Sequence, residues 1–120
     1  MTAYDLGLLA EDIISKEYIK KGYAILERNW RMGKTEIDII SQIGNIIVFT
    51  EVKARKGDYT EPLDSITLDK KKRMIRAADC YLRNLKGEYE YRFDFAAFTG
   101  DKSNYVTEIL EDAFLAAEIF

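Results

Sequence analysis

The segment EIDIISQIGNIIVFTEVKAR, residues 36–55, determines the fold that we expect for this chain. It contains two runs rich in Ile and Val, separated by Gly44-Asn45. A two-residue turn of this composition is a strong β-hairpin signal, and it pairs Ile43 with Ile46. The segment therefore predicts two adjacent antiparallel strands whose register is fixed by the turn.

The same register brings charged residues together on one face of the hairpin. Asp38 lies opposite Glu51, and Glu36 lies opposite Lys53. Because opposed carboxylates repel at a Cβ separation of about 5 Å, this arrangement needs a compensating cation. Lys53 supplies one, and Mg²⁺ or Mn²⁺ bound between Asp38 and Glu51 would supply another, since both metals prefer hard oxygen ligands. Two alternatives remain open: a solvated charged face, and a bulge that breaks the pairing.

Apolar residues on both faces of the hairpin favour a buried position for these charges. The expected faces are Ile37, Ile39, Val48 and Val52 on one side, and Ile40, Ile47 and Phe49 on the other. Strands that are apolar on both faces are typical of the centre of a sheet that is covered on both sides.

The remaining chain supplies helices and further strands around the hairpin. The predicted elements are a helix over 4–21, strands over 23–31, 36–42 and 46–54, a loop over 55–64, a helix over 65–85, strands over 91–99 and 105–110, and a partly helical tail from Asp112. Three strands joined by short turns form an antiparallel meander, and the long helix predicts a crossover to a parallel fourth strand. The expected fold is α/β, a mixed sheet flanked by helices in the order α-β-β-β-α-β-β.

Composition places the chain among globular proteins with one core. Its 120 residues are 48% hydrophobic and 32% charged, which predicts one domain over residues 1–120. No apolar run reaches the ~18 residues of a membrane span, and residues 1–10 lack the basic start of a signal peptide. The single Cys80 cannot form an internal disulfide. We therefore expect a cytoplasmic protein that has no membrane partner.

Charge is unevenly distributed along the chain. Residues 53–76 contain eight basic and four acidic residues, a local charge of +4 in a chain of net charge −3. A local basic surface on an acidic protein is compatible with phosphate binding, although charge alone favours a solvated helix face.

The charged hairpin also resembles a known catalytic motif. Residues 36–40 (EIDII) and 48–55 (VFTEVKAR) resemble the D…(D/E)-x-K motif of restriction-endonuclease-like nucleases. The chain as a whole, from Gly7 to about Phe114, resembles the YraN-like family of uncharacterised bacterial proteins, which is related to archaeal Holliday-junction resolvases. The other matching segments are Gly7 with Glu11, Gly22-Tyr23, Arg28-Asn29-Trp30-Arg31, Lys70, Arg92-Phe93-Asp94 and Ala113-Phe114.

Two positions depart from the family pattern. Ala10 and Thr35 stand where the family usually has glycine. Both residues are small and neither replaces a candidate ligand, so the departures concern local backbone conformation more than chemistry.

The resemblance implies a restriction-endonuclease-like nuclease domain and a catalytic role for each motif residue. Asp38 and Glu51 would hold Mg²⁺ or Mn²⁺, with the backbone carbonyl of Val52 as a further ligand. Lys53 would orient or activate the attacking water and stabilise charge on the phosphate. Glu11 would approach from the first helix as an outer metal ligand or base, or else remain a solvated glutamate.

The resemblance further implies a nucleic-acid partner, with DNA as the expected substrate and a homodimer as the expected assembly. Lys70 would contact phosphate from the second helix, and further contacts are expected from Arg55, Lys71, Arg28 and Arg31; solvent exposure alone is an alternative for the last two. The function implied is an Mg²⁺-dependent endonuclease acting on structured or branched DNA. Two alternatives are a non-catalytic nucleic-acid-binding protein that retains the fold and a scaffold protein.

Overall fold

The structure, a computed structural model, describes residues 1–57 and 62–119, so part of the predicted 55–64 loop lies outside the described residues. The helices and strands are α1 (Ala3–Lys20), β1 (Ala24–Met32), β2 (Thr35–Ile43), β3 (Ile46–Arg55), α2 (Leu68–Arg83), β4 (Glu90–Gly100), β5 (Tyr105–Leu110) and α3 (Ala116–Ile119). Their order confirms the predicted succession and adds the short α3 in the tail. No helix in the described ranges is long and apolar enough to span a membrane.

The five strands form one mixed sheet in the order β1-β2-β3-β4-β5. β1, β2 and β3 make the predicted antiparallel meander, β4 runs parallel to β3 after the α2 crossover, and β5 is antiparallel to β4. The α/β fold class expected from the sequence is therefore confirmed. Both strands of the hairpin, β2 and β3, lie inside the sheet, because each has a neighbouring strand on both sides.

The helix boundaries follow from local capping chemistry. Thr2 accepts the Asp5 N–H, and the Asp5 carboxylate accepts the Thr2 N–H, a reciprocal capping box that starts α1. Thr67 accepts the Lys70 N–H at the start of α2. This cap explains why α2 begins three residues later than the predicted Ser65.

The helices cover opposite faces of the sheet. Ile14 and Tyr18 of α1 pack on Ile39, Val48 and Ala96, all of which are buried. On the other face, α2 packs on a larger cluster that includes Met74, Ala77, Tyr81, Ile40, Ile47, Phe49, Phe93 and Phe95. The two central strands are thus apolar on both faces, as the sequence predicted.

The predicted face is wrong for one residue of β2. Ile37 was expected beside Ile39, but it packs with the α2-side cluster, as does its β1 partner Trp30. The alternation of side chains breaks between the pairs Arg28–Ile39 and Trp30–Ile37. Between them, Asn29 adopts a left-handed backbone with φ of 53°, a conformation that Asn tolerates better than most residues.

Candidate metal and phosphate site

The central hairpin keeps its predicted register up to the pair Ile39–Thr50, where the β2–β3 ladder ends. At the next position the Asp38 carboxylate accepts the backbone N–H of Val52, with 2.7 Å between Oδ2 and N. A side chain thus satisfies a strand donor that would otherwise pair with backbone. Asp38 is held firmly against β3, beside Glu51.

Burial and charge repulsion act together on Asp38 and Glu51. Burial raises the pKa of Asp38 above its usual range, and the charge of Glu51 raises it further. Burial also raises the pKa of Glu51, although Lys70 opposes that shift. A cation beside these two carboxylates would stabilise their charged forms.

Lys70 of α2 lies in this site. Its Nζ is 3.2 Å from Oε2 of Glu51, and the two side chains are 28% and 17% exposed. The sequence pattern predicted Lys53 as the compensating cation, and the structure adds Lys70 from an element distant in sequence. Lys53 is partly buried in β3, two residues after Glu51, so alternation places it on the same side of the strand.

Glu11 approaches the same region from α1. Its side chain is 12% exposed, with Oε1 3.5 Å from Nη2 of Arg28. Burial raises the pKa of Glu11, while a hydrogen bond from Asn29 and the charge of Arg28 lower it. The charge of Glu11 in turn raises the pKa of both Asp38 and Glu51, which places the three carboxylates in one electrostatic environment.

A groove of about 420 Å³ gives access to Asp38 between α1 and the β1–β2 edge. Its lining residues are Ala3, Tyr4, Gly7, Leu8, Glu11, Asn29, Arg31, Glu36 and Asp38. A Cβ placed on Gly7 would meet no atom within 4 Å, so the groove is open beside this turn of the helix.

The donor set fits a divalent metal in part. Asp38 and Glu51 supply hard oxygen atoms from adjacent strands, which suit a divalent metal. Oε2 of Glu51 and Oε1 of Glu11 already face protein cations, Lys70 at 3.2 Å and Arg28 at 3.5 Å. However, no three acidic or cysteine side chains among the described residues form one ligand group. The structure therefore brings Asp38 and Glu51 together and leaves Glu11 at the margin of the site.

The other basic residues predicted to contact nucleic acid lie in different surroundings. Arg28 pairs with Asp12 at 3.0 Å and faces α1, whereas Arg31 is 73% exposed and lies 3.7 Å from Glu36. Lys71 lies over the Phe114 ring, 5.7 Å from its centroid, and Arg55 is partly buried at the end of β3. Of this set, Arg31 lines the groove that leads to Asp38.

Sequence reasoning missed Asn29 as a residue of the site. It lies across from Asp38 in the β1–β2 register, lines the groove that leads to Asp38, and lowers the pKa of Glu11. The available signal was its place in the segment Arg28-Asn29-Trp30-Arg31, where an Asn interrupts a strand pattern. Asn is one of the few residues that commonly adopt positive φ.

Comparison with known proteins identifies the family. The sequence model of the uncharacterised protein family UPF0102 matches residues 10–98. A UPF0102 protein of Phocaeicola vulgatus is 36% identical over 111 residues, which cover 92% of each chain. One from Chloroherpeton thalassium is 39% identical over 118 residues, covering 95% of this chain and 92% of the relative. One from Clostridium perfringens is 42% identical over 114 residues, covering 91% and 93%. The chain therefore belongs to family UPF0102, which confirms the family resemblance found in the sequence.

Proposed function

We propose that this protein is a metal-dependent endonuclease that hydrolyses phosphodiester bonds in structured or branched DNA. The observation that carries the proposal is the pair Asp38 and Glu51, two largely buried carboxylates with raised pKa values on adjacent central strands. Such a pair is costly unless a cation compensates it. Perturbed acidic groups beside an open groove are characteristic of functional sites.

In the proposed reaction, a water molecule attacks the phosphorus from the side opposite the leaving oxygen. Asp38 and Glu51 would hold Mg²⁺ or Mn²⁺, with the Val52 carbonyl as a further ligand. When bound, either metal polarises the phosphodiester and lowers the pKa of the attacking water. A P–O bond forms to the water oxygen, the P–O bond to the leaving oxygen breaks, and that oxygen takes up a proton.

The two lysines of the site would interact with the phosphate of the substrate. Lys53 would orient the attacking water and stabilise charge that develops on the phosphoryl oxygens. Lys70 reaches the site from α2, with its Nζ 3.2 Å from Glu51, and would contact the same phosphate. Glu11, at the margin, would accept a proton or hold an outer water molecule. The preference for branched DNA rests on the resemblance of the chain as a whole to the YraN-like family, which is related to archaeal Holliday-junction resolvases.

A cleavage assay tests the proposal directly. Purified protein is incubated with Mg²⁺ or Mn²⁺ and with linear duplex, nicked, flapped and four-way-junction DNA. We expect the wild type to cleave and each of Asp38→Asn and Glu51→Gln to cleave far more slowly. The loss should exceed the roughly 10- to 100-fold that follows when a residue supporting a metal ligand is replaced. The control is Asp79→Asn, which removes an acid that is 59% exposed on α2 and paired with Arg83.

The outcomes separate the alternatives. Cleavage that persists in both site variants would place the chemistry elsewhere. Salt-dependent binding without cleavage under any divalent metal would favour a non-catalytic nucleic-acid-binding protein. Paired symmetric cuts across a four-way junction would support a homodimer, which sedimentation of the same sample would confirm.

A further inference from the structure

A second cleft lies on the other side of α1, between its N-terminal end and the β4–β5 turn. Its volume is about 1020 Å³. The lining residues that matter here are Leu6, Lys56, Asp101, Lys102, Tyr105 and Val106. None of these residues belongs to the carboxylate site described above.

An aromatic ring is held in place at the edge of this cleft. Tyr105 stacks on Phe98, with ring centroids 4.9 Å apart and an interplanar angle of 25°. Phe98 is fully buried against Leu6 and Ala10 of α1, so it forms a rigid support. Tyr105 itself remains 43% exposed and lines the cleft. The exposed Tyr105 ring is therefore a flat aromatic surface that Phe98 holds in position.

The turn that carries Tyr105 is also fixed. The Asp101 carboxylate accepts the backbone N–H groups of Ser103 and Asn104 and the Ser103 hydroxyl. Gly100 has φ of 129°, and a Cβ there would lie 2.3 Å from the Asn104 carbonyl oxygen. Only glycine therefore permits this turn, which holds Tyr105 beside the cleft.

Charge in the cleft suits an anion. Lys56 and Lys102 are both exposed and both line it. Among the described residues that line the cleft, the acidic one is Asp101, whose carboxylate accepts hydrogen bonds from its own turn that lower its pKa and keep it ionised. A phosphate entering the cleft thus meets two ammonium groups against one ionised carboxylate among the described lining residues.

Two elements connect this cleft to the carboxylate site. Lys56 follows Lys53 by three residues along the chain that leaves β3, a distance of about 10 Å in extended backbone. Leu6 precedes Glu11 by five residues of α1, a rise of about 8 Å. Two residues that line this cleft, Lys56 and Leu6, therefore lie within about 10 Å of residues assigned to the carboxylate site.

We infer that this cleft binds an unpaired nucleotide of the nucleic-acid substrate. The base stacks on Tyr105, and the adjoining phosphates contact Lys56 and Lys102. An aromatic platform with a basic surround is the usual means of binding single strands without sequence preference, because every base offers a flat face. The inference rests on the proposed function, and it specifies a single-stranded segment beside the position of cleavage.

The test measures binding without cleavage. A fluorescent oligothymidylate of about 12 nucleotides is titrated with protein in EDTA, where no divalent metal is available. Tyr105→Leu keeps an apolar cover over Phe98 but removes the flat ring, and we expect it to weaken binding about 5- to 150-fold. Tyr105→Phe should bind within about twofold of wild type, because the ring remains.

A matched control is available on the same sheet. Tyr91 is 49% exposed, lies at the opposite end of β4 and contacts Phe93 edge-on, with 5.7 Å between centroids. Tyr91→Leu should leave affinity unchanged. Thermal melts of all variants identify any loss of folding, so a weakened but folded Tyr105→Leu protein supports the inference.

A second measurement locates the base. An oligonucleotide with one 5-iodouracil is irradiated in the complex, and mass spectrometry identifies the crosslinked residue, which we expect to be Tyr105. Each of Lys56→Ala and Lys102→Ala should reduce the slope of log affinity against log salt by about 0.7. Equal affinity of wild type and Tyr105→Leu would overturn the inference while leaving the nuclease proposal intact. A wild-type protein that neither binds nor cuts nucleic acid would overturn both.

Discussion

Oδ2 of Asp38 accepts the Val52 N–H at 2.7 Å, at the position where the β2–β3 ladder ends. A candidate metal ligand therefore also completes the hydrogen bonding of the neighbouring strand. The same carboxylate is destabilised in its charged form by burial and by Glu51. The hydrogen bond of Asp38 to Val52 thus stabilises the fold, whereas its buried charge destabilises it.

Replacement of Asp38 should separate these two effects in the metal-free protein. The pKa of Asp38 is raised in the folded state, so the folded protein binds its proton more tightly than the unfolded chain does. The free energy of unfolding of the wild type should therefore fall as pH rises from about 4 through the raised pKa. Asp38→Asn removes this charge and should be more stable than wild type at pH 8, by about 1 kcal/mol or more.

The comparison with Asp38→Ala gives the control. Alanine also removes the charge, but it leaves the Val52 N–H without its acceptor, at a cost of about 1–3 kcal/mol. Urea unfolding at several pH values measures all three proteins. A wild-type stability that rises with pH over this range would contradict the assignment.

Metal binding should release protons. Because the raised pKa keeps part of the Asp38 population protonated near neutral pH, a metal must displace that proton. The affinity for Mn²⁺ should be weak, should increase from about pH 6 to pH 8, and should vanish in Asp38→Asn. Calorimetry in buffers of different ionisation enthalpy counts the protons. Undiminished binding by Asp38→Asn, with Asp79→Asn as the unaffected control, would move the site elsewhere.

Much of this site could be predicted from the sequence because it depends on local rules. The Gly44-Asn45 turn fixed the pairing of Ile43 with Ile46, and Gly44 has the positive φ that such a turn requires. The crossover through α2 likewise gave a β4 strand parallel to β3. The turn type and the length of the crossover depend on residues that are adjacent along the chain, so both can be predicted from a single sequence.

The remainder depended on tertiary geometry. The reversed face of Ile37 follows from the backbone of Asn29 in a neighbouring strand, and simple alternation cannot include that change. The contact between Lys70 and Glu51 depends on which face of α2 points toward the sheet. Lys70 is followed by three more basic residues, so the sequence did not show which of the four reaches the site. Arg28 faced α1 because Asp12 lies there, a pairing across 16 residues.

Lys70 should oppose metal binding and assist nucleic-acid binding. Its ammonium group stands beside Glu51, where it repels a second cation. Lys70→Gln should therefore tighten Mn²⁺ binding a few-fold while it weakens duplex binding and reduces the salt slope by about 0.9. Calorimetry and fluorescence anisotropy measure the two effects. Loss of metal affinity in Lys70→Gln would show that the lysine supports the site by a different route.

Lys53 should matter for cleavage far more than for affinity. It is one charge in a partly buried strand position, whereas affinity should come mainly from exposed basic groups. Lys53→Ala is expected to bind four-way-junction DNA within a few-fold of wild type and to cut it at least about 100-fold more slowly. Single-turnover cleavage and anisotropy on the same preparation separate the two quantities. If affinity and cleavage rate fall by the same factor in Lys53→Ala, then Lys53 contributes to DNA binding rather than to the chemical step.

The buried polar network behind the site should be a stability element. Tyr18 donates to Oδ2 of Asp94 at 2.7 Å, and its hydroxyl lies 3.0 Å from Thr50 Oγ1. Arg92 adds two contacts of 2.8 Å to the same carboxylate. Burial raises the pKa of Tyr18, so the hydroxyl stays protonated and remains a donor at ordinary pH. The network ties α1 to β3 and β4 directly behind Glu51.

Tyr18→Phe removes only the hydroxyl, so its cost isolates the network. The variant leaves a fully buried carboxylate with one donor fewer and should lose about 1–3 kcal/mol of unfolding free energy. Tyr4→Phe is the matched control on the same helix, because Tyr4 is 74% exposed and its change should be neutral. Urea denaturation measures both variants. If Tyr18→Phe proves as stable as Tyr4→Phe, then Arg92 and the Asp112 N–H satisfy Asp94 without Tyr18, and the helix is held by apolar packing.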